Sequence, residues 1–124
     1  MGDPSQLTFV TAADLVAVLD RTDPGHRLAG DLWQLEFDAG TTLVTTDHSL
    51  LKASVELQKR YGPTGVIDLL EIFLPALRLE CCARADLDLA IAALLASSDG
   101  SRDLIDRVED QVRRRLRVAR GLRA

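Results

Sequence analysis

Six arginines and no acidic residue fall between residues 111 and 124 of this 124-residue chain. Arg113-Arg114-Arg115-Leu116-Arg117 is nearly continuous, and Arg120 and Arg123 follow. A guanidinium is always charged and presents its donors as a planar fork, so clustered arginines suit phosphate groups. No aromatic residue is interleaved with them, and a solvated helix end favoured by the helix dipole explains the cluster equally well. The rest of the chain is acidic: residues 1–110 balance to −10 and residues 111–124 to +6, giving −4 in all. A basic end on an acidic body can meet nucleic acid, an acidic partner, or the body itself.

Other residues that could do chemistry have simpler structural uses. Thr11 reads as a helix N-cap, and Asp14 as a first-turn acid favoured by the dipole. Thr46 or Asp47 caps the third helix, and capping accounts for Asp47. Asp103 and Asp106 fall in the first turn of the last helix. With Glu109 and Asp110 they can also pair, three or four positions apart, with Arg107, Arg113 and Arg114. His26 and His48 have no cysteine, second histidine or serine at catalytic spacing. Cys81 and Cys82 are neighbours, where a disulfide would be strained, so they read as small hydrophobes with free thiols. A zinc site of the usual spacing is excluded. Trp33 fits a core stripe. There is no Gly-rich phosphate loop and no GxSxG.

The elements that must carry these residues alternate. Leu7–Val10 reads as a strand, followed by a helix from Thr11 to Asp20. Thr22-Asp23-Pro24-Gly25 breaks it, and a second helix covers Gly25–Asp38 until Ala39-Gly40. Thr41–Thr45 is the second strand. Asp47–Arg60 is the third helix, stopped by Tyr61-Gly62-Pro63. Val66–Leu74 is a fourth helix, apolar nearly all round, which implies burial or a partner interface. Leu77–Cys82 is the third strand. Asp86–Ala96 and Arg102–Arg120 are helices, the last with Ile105, Val108, Val112 and Leu116 on one face. Strands alternating with helices predict an α/β fold with a small parallel sheet of about three strands. Ligands in such sheets sit beyond the carboxyl ends of the strands, which selects Thr11–Asp14, Thr46–Lys52 and Ala83–Asp86.

A length of 124 residues is that of one domain with a real core. The sequence has neither a run of about 18 apolar residues nor a secretory leader, so the expected compartment is the cytoplasm, with no membrane contact.

The order of elements resembles the PIN domain, and most closely the small VapC-type ribonuclease toxins of toxin–antitoxin pairs. The resemblance runs from about Leu7 to Arg114. TFVTAADLVAVLDRTDPGHRLA looks like the family's opening strand and helix, in which a short side chain and an Asn follow the first aspartate. LVTTDHSLLKASVELQKRYG looks like the second strand and its helix. LRLECCARADLDLAIAALLASSDGSRDLID looks like the third strand, a helix, and the segment leading to the third acid.

The resemblance implies acids from separate segments converging on magnesium or manganese. Carboxylates hold the hard cation, which generates a hydroxide and stabilises charge on a phosphate. Position by position, the first acid falls on Thr11 and the second on Lys52. The third falls on Asp106, or on Asp103 in a slipped register. Lys52 puts a positive charge where a cation should bind; it could neutralise Asp14 or Asp106, or touch a phosphate. The family adds a strand after the last helix, and only a short basic tail, Leu116–Ala124, stands here. The sheet is expected to stop at three strands or to be completed by a partner.

The resulting expectation is a degenerate PIN-like domain, without a cofactor and without metal-dependent nuclease activity. It binds itself as a homodimer or an antitoxin-like partner through Val66, Ile67, Leu70, Phe73 and Leu74. RNA contact falls to Arg113, Arg114, Arg115, Arg117, Arg120 and Lys52. The first alternative is an active Mg- or Mn-dependent ribonuclease, with Asp14, Asp47 and Asp106 on the metal and Asp14, Asp103 and Asp106 catalytic. The second is a mainly helical oligomerisation module.

Overall fold

The computed structural model describes residues 6–123. Three parallel strands form the sheet in the order β1 (Leu7–Phe9), β2 (Thr42–Thr46), β3 (Leu77–Glu80). Helices α1 (Ala12–Leu19) and α2 (His26–Asp38) connect β1 to β2. Helices α3 (Asp47–Tyr61) and α4 (Thr64–Asp68) lead towards β3, and α5 (Arg84–Ala96) and α6 (Leu104–Leu116) follow it. These parallel strands set aside the mainly helical module.

Side-chain alternation along the strands sorts the core into two halves. Leu43 packs with Val10, Leu15, Trp33, Leu57 and Leu69 beside α1–α4. Its neighbour Val44 points the other way and packs with Phe9, Ala90, Val108 and Val112 beside α5 and α6. A three-layer arrangement results, with β2 in the middle and covered on both faces.

The expected fourth helix, Val66–Leu74, is not one continuous α-helix. α4 ends at Asp68, the chain widens into a π-helical turn over Leu69–Phe73, and a 3-10 turn covers Leu74–Ala76. This change of period sends Leu69 into the core and Phe73 edge-on against Trp33, with ring centroids 4.9 Å apart. Leu74 also packs on the core. Ile67, Leu70 and Ile72 remain exposed.

The last helix is shorter than expected. It begins after Asp103, which is its N-cap rather than a first-turn residue, and it stops at Leu116. Arg117 is left-handed, with φ 57°. The chain then turns back along the sheet. The Phe9 N–H donates to the Arg120 carbonyl at 2.8 Å, and the Leu122 N–H donates to the Phe9 carbonyl at 3.0 Å. Gly121 thereby pairs in parallel with Phe9. Val118 and Leu122 are both buried, one in each half of the core. The sheet thus stops at three strands, as expected, and the free edge of β1 is covered by residues 120–122 of the chain itself.

Candidate functional site

The carboxyl ends of β1 and β2 open directly into helix caps. The Thr11 hydroxyl accepts from the Asp14 N–H, and the Asp14 carboxylate accepts from the Thr11 N–H, both at 3.0 Å. This reciprocal box fixes α1 and bears out Thr11 as a cap. Thr46 caps α3 by accepting from the Ser49 N–H at 2.9 Å.

Ser49 also links α3 to α6. Its hydroxyl donates to Glu109 Oε2 at 2.7 Å, so the Thr46 hydroxyl, 2.7 Å away, is left to donate to Ser49. The same Glu109 oxygen accepts from the Ala12 N–H at 2.9 Å. Glu109 is 4% exposed, and burial pushes its carboxyl up to about 6. Three elements thus meet on one buried acid. Sequence reasoning treated Glu109 only as a partner for surface arginines. Its position was legible from spacing: it lies one residue past Val108 and three before Val112, on the edge of the apolar face of α6.

Beside this junction is an open cleft of about 290 Å³, bordered by Ala12, Val16 and residues of α3 and α6. Its charged lining is mixed, with Lys52, Arg60 and Arg123 against Asp23, Glu56 and Asp106. Lys52 Nζ lies 2.5 Å from Asp103 Oδ2. That hydrogen bond, with the charges of Asp103, Asp106 and Glu109, raises the lysine pKa. Burial works to raise the Asp103 carboxyl, but the bonds from Lys52 and the Asp106 amide outweigh it and hold it low. Arg123 reaches in from the C-terminal segment, its Nε 2.6 Å from Asp14 Oδ1. Gly25 gives it room, since a Cβ there would stand 2.5 Å from Arg123 Nη1.

At the back of α3, Asp20 is fully buried and accepts from the Tyr61 hydroxyl, the Thr22 hydroxyl and amide, and Arg60. These bonds, the tyrosine's foremost, hold its carboxyl well below the usual range. Asp20 thereby anchors Arg60 at the cleft.

Asp47 is an anchor rather than a cap. Its Oδ1 accepts from the His48 amide at 2.9 Å and from the Cys82 amide at 3.1 Å, tying the end of β2 to the end of β3. Burial works to raise its carboxyl, but the His48 and Cys82 bonds outweigh it and hold it low.

Asp14, Asp47, Asp103 and Asp106 therefore have separate duties. Asp14 is paired with Arg123, Asp47 bridges two strand ends, Asp103 holds Lys52, and Asp106 completes the cap box of α6. Among the described residues, no three Asp, Glu, His or Cys side chains gather as a cation would require. An ammonium and two guanidiniums border this cleft, and Asp14 is paired with Arg123.

The arginines also divide. Arg115 pairs with Asp86, Arg120 with Glu36 and Arg123 with Asp14. Arg113 donates to the Val118 and Ala119 carbonyls and lies over the Phe9 ring. Arg114 and Arg117 are exposed and make no side-chain hydrogen bond or ion pair among the described residues. Arg115 and Arg120 thus stay at the surface with their charge paired to acids of the body, and only part of the expected basic patch is left without an acidic partner among the described residues.

No family model and no curated protein matches the chain. Among solved structures it is similar to VapC20 of Mycobacterium tuberculosis, a sarcin-ricin loop cleaving toxin. The likeness covers 93% of this chain and 86% of that one, with a TM-score of 0.79 and 20% identity. The fold is that of a VapC-like PIN domain.

Proposed function

Taking a VapC-like PIN fold as the premise, we propose that this chain works by binding and not by metal-dependent cleavage. The supporting observation is the exchange of charge in the cleft at the strand ends. Lys52 and Arg123 stand there, and the Lys52 ammonium is held by Asp103 at 2.5 Å. A hard cation needs several oxygen ligands free to turn towards it, and the acids around this cleft are already bound to cations or backbone amides.

The binding partner on this reading is another protein, an antitoxin-like chain or a second copy, in the cytoplasm. Ile67, Leu70 and Ile72 form the exposed apolar surface that supports it. An adjoining hollow of about 550 Å³ is lined by Trp33, Phe37, Ile72 and Phe73. RNA is a second ligand, supported by the uncompensated arginines at the end of α6. Among the described residues, no helix is long and apolar enough to cross a membrane.

The deciding experiment is calorimetric titration of Mn²⁺ into the full chain, with Asp106→Asn alongside. No binding up to millimolar metal is the expected result. Micromolar binding that disappears in Asp106→Asn would overturn the proposal and leave the active ribonuclease in its place.

A further inference from the structure

We infer that an open hollow of about 470 Å³ at the C-terminal end of α6 binds the phosphate groups of an RNA backbone. The inference rests on the RNA part of the reading above and is independent of the cleft's chemistry. Arg113, Arg114 and Arg117 border the hollow together with Asp110, Val118 and Ala119. Asp110 does not offset them, because Arg102 holds it at 2.9 Å. Arg113 bonds only neutral carbonyls, those of Val118 and Ala119, and so keeps its full charge while its orientation is fixed. The Phe9 ring, 5.6 Å from the guanidinium carbon, fixes it further.

Three arginines without an acidic partner among the described residues therefore border one hollow, which suits the non-bridging oxygens of a phosphate. The hollow has no aromatic wall and no large apolar side chain, so neither base stacking nor a peptide anchor is available. It lies at the opposite end of α6 from Asp106 and the cleft, so RNA held here leaves the cleft free.

The test is fluorescence anisotropy of a labelled single-stranded oligouridylate. The double variant Arg114→Ala/Arg117→Gly removes two charges, and the glycine relaxes a left-handed residue, so the fold is retained. Circular dichroism melting checks that retention. Binding should weaken roughly tenfold at low salt, and the slope of log affinity against log salt should fall by about 0.7 for each lost contact. Arg84→Ala, a residue paired with Asp88 on α5, should bind as the parent does. Unchanged affinity in a folded double variant would overturn the site while leaving RNA binding intact. A parent chain that binds no RNA would overturn the site and the RNA reading together. Displacement by inorganic phosphate at equal phosphate concentration, or by polyglutamate at equal charge, would overturn the assignment to RNA.

Discussion

Arg123 Nε lies 2.6 Å from Asp14 Oδ1, joining the end of the described chain to the first helix. The other Asp14 oxygen is spent on the Thr11 amide. One carboxylate thus closes a local cap and a long-range ion pair. Asp14 is 4% exposed, so that arginine is the cation its buried carboxylate faces.

Removing the arginine should leave a buried carboxylate half satisfied. Arg123→Ala is expected to cost about 1–3 kcal/mol, the penalty of an unpaired buried acceptor. Urea unfolding checks this. Gly25→Ala should cost less, because the clash is with the far end of a flexible side chain. A loss in Arg123→Ala no larger than in Gly25→Ala would mean that Asp14 does not depend on the pair.

Glu109 sets a pH dependence of unusual sign. Its folded value of about 6 lies above the ordinary 4.5, so the folded state holds the proton more tightly. The stabilisation is complete below about pH 4.5 and is lost as pH rises through 6, a change of about 2 kcal/mol. Glu109→Gln removes the titrating group and should flatten that part of the profile. Comparing the two proteins' unfolding free energies at pH 4.5 and 7.5 tests it, and parallel profiles would reject it.

Arg117 occupies a left-handed conformation that costs a side chain about 1 kcal/mol and a glycine almost nothing. Arg117→Gly alone should raise the melting temperature by a few degrees. A lower melting temperature would show that the arginine repays its strain through contacts to the body.

The two positions that the PIN resemblance sets against acids can be given acids. Aspartate caps a helix as well as threonine does, so Thr11→Asp should keep α1 in place. Combined with Lys52→Glu and Arg123→Ala, it should give the cleft measurable Mn²⁺ affinity by calorimetry. A folded triple variant that binds no Mn²⁺ would mean that the register linking these positions to the PIN acids is wrong.

The sequence made some of these features legible and hid others, for physical reasons. Thr11 and Thr46 were readable as caps because capping is local, settled within three residues. The order of strands and helices was readable because turn residues punctuate it at Asp23-Pro24-Gly25, Gly40 and Gly62-Pro63. The π-helical turn at Leu69–Phe73 was hidden, since a run apolar on every side carries no period to mark a change of pitch. The docking of residues 118–123 was hidden by its composition. One backbone bridge and two arginines do not look like a strand, and the acids that attract them, Asp14 and Glu36, are far away in sequence. Glu109 carried a spacing signal, at the edge of the apolar face of α6, but a charged residue beside arginines suggests a surface pair and masked it.

The pairing of Phe9 with Gly121 also has a consequence in time. A ribosome releases β1 more than a hundred residues before the segment that covers its edge. Until residues 120–123 emerge, that edge and the Asp14 carboxylate lack the partners those residues supply. During that interval the edge of β1 is open to any extended segment nearby.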